Sequence, residues 1–488
     1  MASHICAKGV GRNRVGILRP LSIARSRPRS NMSRKNELYL SRTTRPGQPQ
    51  PQATSADFEA HANDSHSIWR RIRGDALLFG GGNVGIMAAQ LAFRAILIAT
   101  LVPAEYGRLT LILTIYNTIW IIGASGVPSS VARYIALIAP APDSSIIRSA
   151  AKAAVIPTVI AAMSVAIISG IILNSLAAFV FAAAGLTSLV YSLLTVGILR
   201  GRGRMGLAVL VMLIAAVGEI APLAILWRSG LGVTPLSAFG VFCAGNVIGL
   251  VAGVFFTVRT RPREASTMTI AGEKTPSPRQ LLGFSMWLGA ATIGVALLPL
   301  VVRSAAAFQS YTVVAVIDVA ILLLSIPQRV GAIILMAVVP HAARSLDKGD
   351  MSLTISRREH FLVILPFMLA ASVVAFTPIV RTFFDTVGHP AYAKSGVYLA
   401  LALLAGPARI LYGLVEGILI AHGEGRFLAV NSMTVAIAAT GLIFAAAALG
   451  HTVIAFAVFV AAFWLIYIIA FSRTDRLISI RTSSPAQE

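Results

Sequence analysis

Charged and amide side chains occur at a regular spacing inside several long apolar stretches of this chain. Two stretches carry polar residues at positions i, i+7 and i+11: Asn83, Gln90 and Arg94 in one, and Asp318, Ser325 and Arg329 in the other. A third stretch has Arg409 and Glu416 one heptad apart, and a fourth contains Glu219 alone. Residues at this spacing lie on one face of an α-helix. Because charges at membrane depth are costly, such faces are typical of helices that surround a polar cavity.

The basic members of these faces are suited to an anionic ligand. A guanidinium binds phosphate through forked hydrogen bonds, which a lysine cannot form. Arg94, Arg329 and Arg409 are therefore candidate substrate-binding residues. Asn83 and Gln90, which share the helix face of Arg94, are further candidates for substrate binding.

The acidic members are candidates for ion coupling. An ion-driven carrier commonly uses a titratable group inside the membrane, and Glu219, Asp318 and Glu416 are the acids that we place within apolar stretches. The alternative is that fixed ion pairs, Asp318 with Arg329 or Arg409 with Glu416, only hold helices together.

The composition predicts an all-α membrane protein. Hydrophobic residues make up 56% of the 488 residues and charged residues 12%, which is too little polar surface for a soluble protein of this length. A spanning helix needs roughly 20 mostly apolar residues. Twelve stretches meet this requirement: 76–101, 108–138, 150–172, 176–199, 206–227, 236–258, 280–302, 311–341, 359–383, 391–421, 427–449 and 452–472. Their continuous hydrophobicity excludes the alternating pattern of a membrane β-barrel.

A polar linker and an internal repeat predict two six-helix lobes. The predicted organisation is a disordered basic tail (1–73), a first lobe (74–258), a linker (259–279), a second lobe (280–472) and a short tail (473–488). Similar segments end the fourth and tenth stretches: LVYSLLTVGILRGRGRMGLA, which contains Gly197, and ILYGLVEGILIAHGEGRFLA, which contains Gly417. Six helices separate the two segments, so the halves should be related by a pseudo-twofold axis along the membrane normal.

Basic residues predict the orientation. Arginine and lysine collect in every second gap between the stretches, and the alternate gaps hold only Arg108, Arg228, Arg303, Arg381 and Lys394. Loops rich in basic residues face the cytoplasm, so both termini are predicted to be cytoplasmic. The formal net charge of +22 then reflects topology and contact with lipid headgroups, and we expect no binding to nucleic acid. An organellar targeting segment or an upstream false start are alternative explanations of the basic tail.

Signatures of enzymes and metal sites are absent from the sequence. It has no phosphate-binding Walker loop, its eight histidines are scattered, and its two cysteines exclude a cysteine-based metal site. We expect a protein that is not an enzyme and needs no cofactor or metal.

The opening of the membrane region resembles the polysaccharide and oligosaccharide flippases of the multidrug/oligosaccharidyl-lipid/polysaccharide exporter superfamily. The resemblance lies in a Gly-rich start, a turn with Pro103, Glu105, Tyr106 and Gly107, and a second helix that ends in Arg133, Tyr134 and Ala136. The segments IPQRVGAIILMAVVPHAAR and HPAYAKSGVYLALALLAGPARILYGLVEGILIAHGEGRF are also similar to that family.

This resemblance implies a V-shaped bundle of 12 to 14 helices that works by alternating access in the cytoplasmic membrane. The implied substrate is a polyprenyl-diphosphate-linked oligosaccharide held in a cationic cavity. Membrane lipids and a polysaccharide polymerase or glycosyltransferase would be its partners, and we expect a monomer. A cation-coupled multidrug or small-molecule exporter of the same superfamily is the main alternative, and it would need an acidic cavity. A non-transporting membrane scaffold and a membrane transferase are further alternatives.

Overall fold

The computed structural model describes residues 80–124, 126–138, 144–260, 278–348, 357–386 and 389–483. These residues are almost entirely helical, and no strand occurs among them. Eleven helices are long and apolar enough to cross a membrane, or up to twelve if one bent pair is counted as a single span. The prediction of an all-α, multi-pass membrane protein is confirmed.

Fourteen helices make up the described part of the chain. The first half contains α1 (Gly80–Thr100), α2 (Pro103–Ala124), α3 (Val127–Ile138), α4 (Ser144–Leu173), α5 (Leu176–Gly201), α6 (Met205–Arg228) and α7 (Pro235–Arg259). The second half contains α8 (Pro278–Ala307), α9 (Tyr311–Lys348), α10 (Arg357–Phe376), α11 (Ile379–Thr386), α12 (Ser395–Ala421), α13 (Gly425–Ala448) and α14 (Thr452–Ser483). A 3₁₀ turn at Pro390–Lys394 leads into α12.

Two predicted spans are interrupted. The stretch 108–138 forms α2 and α3, and Gly126 between them has a φ of 68°, which a helix cannot accommodate. The stretch 359–383 forms α10 and α11, which are bent by 64°. Pro378 lies in this bend and disfavours the helical conformation of the residue before it.

The ends of the predicted domains are only partly described. The tail 1–73 and most of the linker 259–279 lie outside the described residues, and the boundaries of the two lobes stay predictions. At the other terminus α14 continues to Ser483, so the segment predicted as a tail from residue 473 is largely an extension of the last helix.

The two halves pack in the same way. In the first half α5 packs against α3, α4 and α7, and α6 packs against α7. In the second half α12 packs against α9, α10 and α14, and α13 packs against α14. Each pair in the first half thus has its counterpart six spans later, as a parallel repeat requires.

Two repeated glycines hold corresponding helices together. A side chain on Gly197 of α5 would collide with the backbone of Pro128 at the start of α3. A side chain on Gly417 of α12 would press against Val338 of α9. Small residues of this kind let membrane helices approach closely. The sequence Gly-Ile-Leu begins at Gly197 in α5 and at Gly417 in α12. In each half it therefore marks a close contact between corresponding helices.

One contact between the halves lies where α1 and α8 end and α2 and α9 begin, which we call the closed end; α8 also packs against α3 and α4 of the first half. Here α2 packs against α8 and α9, and Gly107 of α2 lies directly on the backbone of Tyr311 in α9. The Arg108 guanidinium lies 5.3 Å from the centre of the Tyr311 ring. The rings of Tyr106 and Tyr392 meet edge to face at 6.3 Å. By the predicted orientation, the closed end faces outward.

Candidate functional site

A cavity of about 640 Å³ lies between the two halves of the bundle. Helices α1, α2, α5, α6 and α7 line it from the first half, and α8, α9 and α12 line it from the second half. Its charged lining consists of Arg94, Arg303, Arg329, Arg409, Glu219, Asp318 and Glu416. Six of these seven residues are ones that the sequence places inside apolar stretches, five of them at helical spacing and Glu219 alone. Their roles in binding and ion coupling stay predictions.

Asn83 and Arg303 depart from the sequence interpretation. Asn83 is not among the residues that line the cavity, and its role in substrate binding stays a prediction. Arg303 was placed in an outer loop because the hydropathy of its stretch falls at residue 302. It instead lies inside α8, is 6% exposed and lines the cavity. A charge within one turn of a predicted helix end is difficult to assign, because hydropathy locates helix ends poorly.

Asp318 is the centre of a polar network that joins the two halves. Its Oδ1 atom accepts hydrogen bonds from two guanidinium nitrogens of Arg303, one of them Nε at 3.0 Å. Its Oδ2 atom accepts a hydrogen bond from the hydroxyl of Tyr106 and one from Thr110 at 3.3 Å. Nη1 of Arg94 lies 3.5 Å from the same oxygen and donates to Thr110 at 2.7 Å. The carboxylate therefore contacts α2 and α1 of the first half and α8 of the second.

The alternative in which Asp318 pairs with Arg329 does not occur in the structure. The two residues share a face of α9, but Asp318 is paired with Arg303 and Arg94, and Arg329 donates a hydrogen bond to Oε1 of Gln90 in α1. Helix phase showed which face each residue occupies, but it could not show which neighbouring helix supplies the partner.

The alternative pair of Arg409 with Glu416 is not within salt-bridge distance either, although Glu416 attracts Arg409 at longer range. Among the described residues, it forms no ion pair with Glu416 or with any other acid. Its guanidinium lies 4.8 Å from the centre of the Phe463 ring, and its buried Nε has no hydrogen-bond acceptor. The buried hydroxyl of Tyr412, one turn later, also has no partner. These are polar groups that a ligand in the cavity could satisfy.

Two acids line the cavity without a salt bridge. Glu219 of α6 is 8% exposed, and its side chain fits beside Gly245 of α7, where a larger residue would collide with it. Glu416 of α12 lies one turn after Tyr412. Within the described ranges, neither carboxylate has an ion-pair partner. A bound cation or proton, or a basic substrate group, could neutralise them.

Neutral polar and aromatic side chains complete the lining. Asn117 and Gln328 are exposed to the cavity, and Trp120 follows Asn117 by three residues on the same face of α2. Asn246 of α7 donates to the carbonyl oxygen of Phe242 at 3.1 Å. Such a combination of amides and an aromatic ring suits a polar, hydroxylated ligand. The described residues offer no group of three or more His, Cys, Asp or Glu that could hold a metal ion.

The charge of the cavity is mixed with a positive excess. Four arginines against three acids leave one positive charge when all groups are ionised. Asp318 forms salt bridges with Arg94 and Arg303. Among the described residues, Arg329 and Arg409 are therefore the two cavity arginines that form no salt bridge with a carboxylate.

Neither a family model nor a curated protein matches this sequence. Solved structures do match. A Vibrio cholerae MATE transporter has a TM-score of 0.56 and 12% identity, over 86% of this chain and 98% of that one. A MOP superfamily transporter from Pyrococcus furiosus, described with a reversed polarity of its binding pocket, has a TM-score of 0.56 and 15% identity, over 85% and 96% of the two chains.

A multidrug resistance MATE family transporter matches in two states. Its inward-facing structure has a TM-score of 0.53 and 16% identity, over 82% of this chain and 96% of that one. Its outward-facing structure has a TM-score of 0.55 and 15% identity, over 85% and 97% of the two chains. The chain therefore has the fold of the MATE transporters of the MOP superfamily.

Proposed function

We propose that this protein is a membrane transporter that moves an anionic, polyprenyl-diphosphate-linked oligosaccharide by alternating access. The observation that carries the proposal is the central cavity with four arginines and three acids, in which Arg329 and Arg409 form no salt bridge with any described carboxylate. The likeness to a transporter solved in inward-facing and outward-facing conformations supports alternating access for this fold.

The positions of the two arginines favour a diphosphate. Gly331 of α9 lies against the backbone carbonyl of Arg409 in α12, so Arg329, two residues before Gly331, is at nearly the same height in the bundle. Both side chains line the cavity. Two guanidiniums at one level of neighbouring helices can each form forked hydrogen bonds to one phosphate of a diphosphate.

The rest of the lining suits the other parts of such a substrate. The amides of Asn117 and Gln328 can hydrogen-bond to sugar hydroxyls, and the Trp120 ring offers a flat surface for a sugar ring. Leu189 and Leu193 of α5 add an apolar wall in the first half.

A cation-coupled exporter is the second candidate, and a specific observation favours it. Glu219 and Glu416 line the cavity without an ion-pair partner among the described residues, and a cationic drug could bind there. In the main proposal these two acids would instead bind the coupling proton or cation, and Asp318 would have that role only if it left its arginine partners.

A binding experiment separates the two candidates. Purified protein in nanodiscs is titrated with polyprenyl diphosphate, with polyprenyl monophosphate and with a cationic dye. The proposal predicts that the diphosphate binds more tightly than the monophosphate. Arg329→Ala or Arg409→Ala should weaken diphosphate binding at least tenfold, and Lys at either position should retain part of it.

The matched control is Arg381→Ala. Arg381 is exposed and pairs with Asp385 outside the cavity at 3.6 Å, so this variant loses an arginine without touching the site. Diphosphate binding that is equal in all these proteins would refute the proposal. Dye binding that Glu219→Gln or Glu416→Gln abolishes would establish the exporter instead.

A further inference from the structure

We infer that Arg94 and Arg303 form a second anion-binding pair, that Asp318 occupies this pair as a built-in counter-ion, and that the anionic group of the substrate displaces Asp318 and so releases the closed end. The inference rests on the proposed function in one respect, namely that the transported molecule carries a phosphate-like anion.

The contacts of Asp318 make it a bridge between the halves. The residue is 1% exposed, and its carboxylate lies between Arg303 of the second half and Arg94 of the first. Tyr106 and Thr110 of the first half donate to it as well. Asp318 itself belongs to the second half, so its Oδ2 atom carries the polar contacts across the closed end.

The pair of arginines is not fully neutralised by this bridge. Two guanidiniums contact one carboxylate, so the groups in contact carry one positive charge in excess, which Glu219 attracts from beyond salt-bridge distance. A diphosphate carries more negative charge than a carboxylate and has more oxygens to accept forked hydrogen bonds. It is therefore a stronger partner for Arg94 and Arg303 than Asp318 is.

A path of polar groups leads from the open part of the cavity to this pair. The exposed lining residues Gln90, Asn117 and Gln328 lie on the cavity side of the closed end, whereas Arg303 and Asp318 are buried. Gln90 accepts a hydrogen bond from Arg329, and Arg94 follows Gln90 by one helical turn on the same face of α1. Arg329, Gln90 and Arg94 thus form a row of anion-binding or polar groups along the cavity lining.

Displacement of Asp318 would weaken the closed end selectively. The polar contacts of Asp318 to Arg94, Tyr106 and Thr110 are then lost. The contacts that remain at the closed end include the Tyr106–Tyr392 ring contact, the close approach of Gly107 to Tyr311 and the Arg108–Tyr311 ring contact. A ligand shifts a conformational equilibrium by its difference in affinity for the two states. An anion that binds Arg94 and Arg303 only when Asp318 has left favours the state in which the closed end is open.

The test measures the closed end directly. Spin labels are placed at Val102→Cys, between α1 and α2, and at Phe308→Cys, just after α8, which are 59% and 81% exposed. The native Cys6 and Cys243 are replaced by serine. Inorganic pyrophosphate is the probe ligand, and its affinity is measured on the same proteins by calorimetry.

Asp318→Asn should increase several-fold the fraction of molecules with a long distance between the two spin labels, without any ligand. It should also bind pyrophosphate about tenfold more tightly, because the Asp318 carboxylate no longer competes for Arg94 and Arg303. Pyrophosphate should produce the same long distances in the unsubstituted chain. Tyr106→Phe removes one hydrogen bond to Asp318 and should change both quantities in the same direction by less. Asp385→Asn, which removes an exposed acid outside the cavity, is the matched control and should change neither quantity.

The outcomes distinguish the inference from the proposed function. Pyrophosphate that binds through Arg329 and Arg409 but no better to Asp318→Asn, with unchanged distances, overturns the inference and leaves the proposed function standing. Pyrophosphate that binds neither protein overturns both. If Asp318→Asn is poorly folded, the inference predicts that pyrophosphate raises its melting temperature more than that of the unsubstituted chain, and an equal or smaller rise refutes it.

Discussion

Replacing Arg409 by methionine should weaken substrate binding while leaving the protein as stable as before. Methionine keeps an unbranched apolar side chain against Phe463 and removes only the charged group. The buried guanidinium forms no salt bridge among the described residues, and its Nε has no hydrogen-bond acceptor. Glu416 attracts it only from beyond salt-bridge distance, so its removal relieves the cost of burying a charged group that lacks part of its hydrogen bonding.

The magnitudes follow from the contacts that change. Loss of the contact with the Phe463 ring costs about 0.5 to 2 kcal/mol of folding free energy, and relief of the buried charge offsets it. Binding loses a charge-assisted hydrogen bond worth about 1.5 to 3 kcal/mol, which corresponds to a dissociation constant roughly 10- to 200-fold higher. Asp318→Ala provides the contrast, since breaking a buried ion pair costs about 3 to 5 kcal/mol of stability.

The assay combines binding of polyprenyl diphosphate, thermal unfolding in nanodiscs and complementation of lipid-linked glycan export, with membrane abundance measured beside it. Arg409→Met should unfold at nearly the original temperature, be present in the membrane at normal abundance and fail to complement. Normal binding together with a strong loss of stability or abundance would show that Arg409 is a structural residue. The proposed anion site would then keep only Arg329 of the two arginines that form no described salt bridge.

Two further predictions concern topology and packing. A cysteine at Leu231, in the loop between α6 and α7, should react with an impermeant reagent added outside intact cells. A cysteine at Ser266, outside the described residues, should not react. Labelling of residue 266 would reverse the predicted orientation. Gly413→Val should destabilise the protein by several kcal/mol, because the new side chain would overlap the backbone of Gly331. Gly441→Val is the control, because Gly441 has open space around it. Equal melting temperatures of the two variants would contradict the packing.

Sequence patterns predicted the helices and the faces that surround the cavity, because both depend on local periodicity. Arg94, Arg329 and Arg409 reach the cavity because each occupies the polar face of an apolar helix. The partner of Asp318 could not be predicted in this way. It depends on how α8 is rotated against α9, and that rotation is set by packing between distant parts of the chain. The place of Arg303 in the cavity was not predicted, for the same reason. In addition, Arg303 follows the last strongly apolar residue of its stretch, so the sequence placed it in a loop.

The internal repeat preserves packing contacts but not charges, and this difference bears on function. When Gly417 of α12 is aligned with Gly197 of α5, Arg409 falls opposite Leu189 and Glu416 opposite Val196. Arg409 and Leu189 both line the cavity, one on each side. Equivalent positions of the repeat therefore present a guanidinium from the second half and an aliphatic side chain from the first.

The arginines of the second half together with the leucines of α5 suit a substrate that is itself divided, although Arg94 and Glu219 of the first half are also charged. The charged lining is concentrated in the second half, which supplies three of the four arginines, whereas α5 contributes leucines from the first half. A freely soluble anion would gain nothing from the apolar wall, and a hydrophobic cation would be repelled by the arginines. An amphiphile with an anionic headgroup and a hydrocarbon chain satisfies both walls, which is the physical reason for preferring a lipid-linked diphosphate over a drug cation.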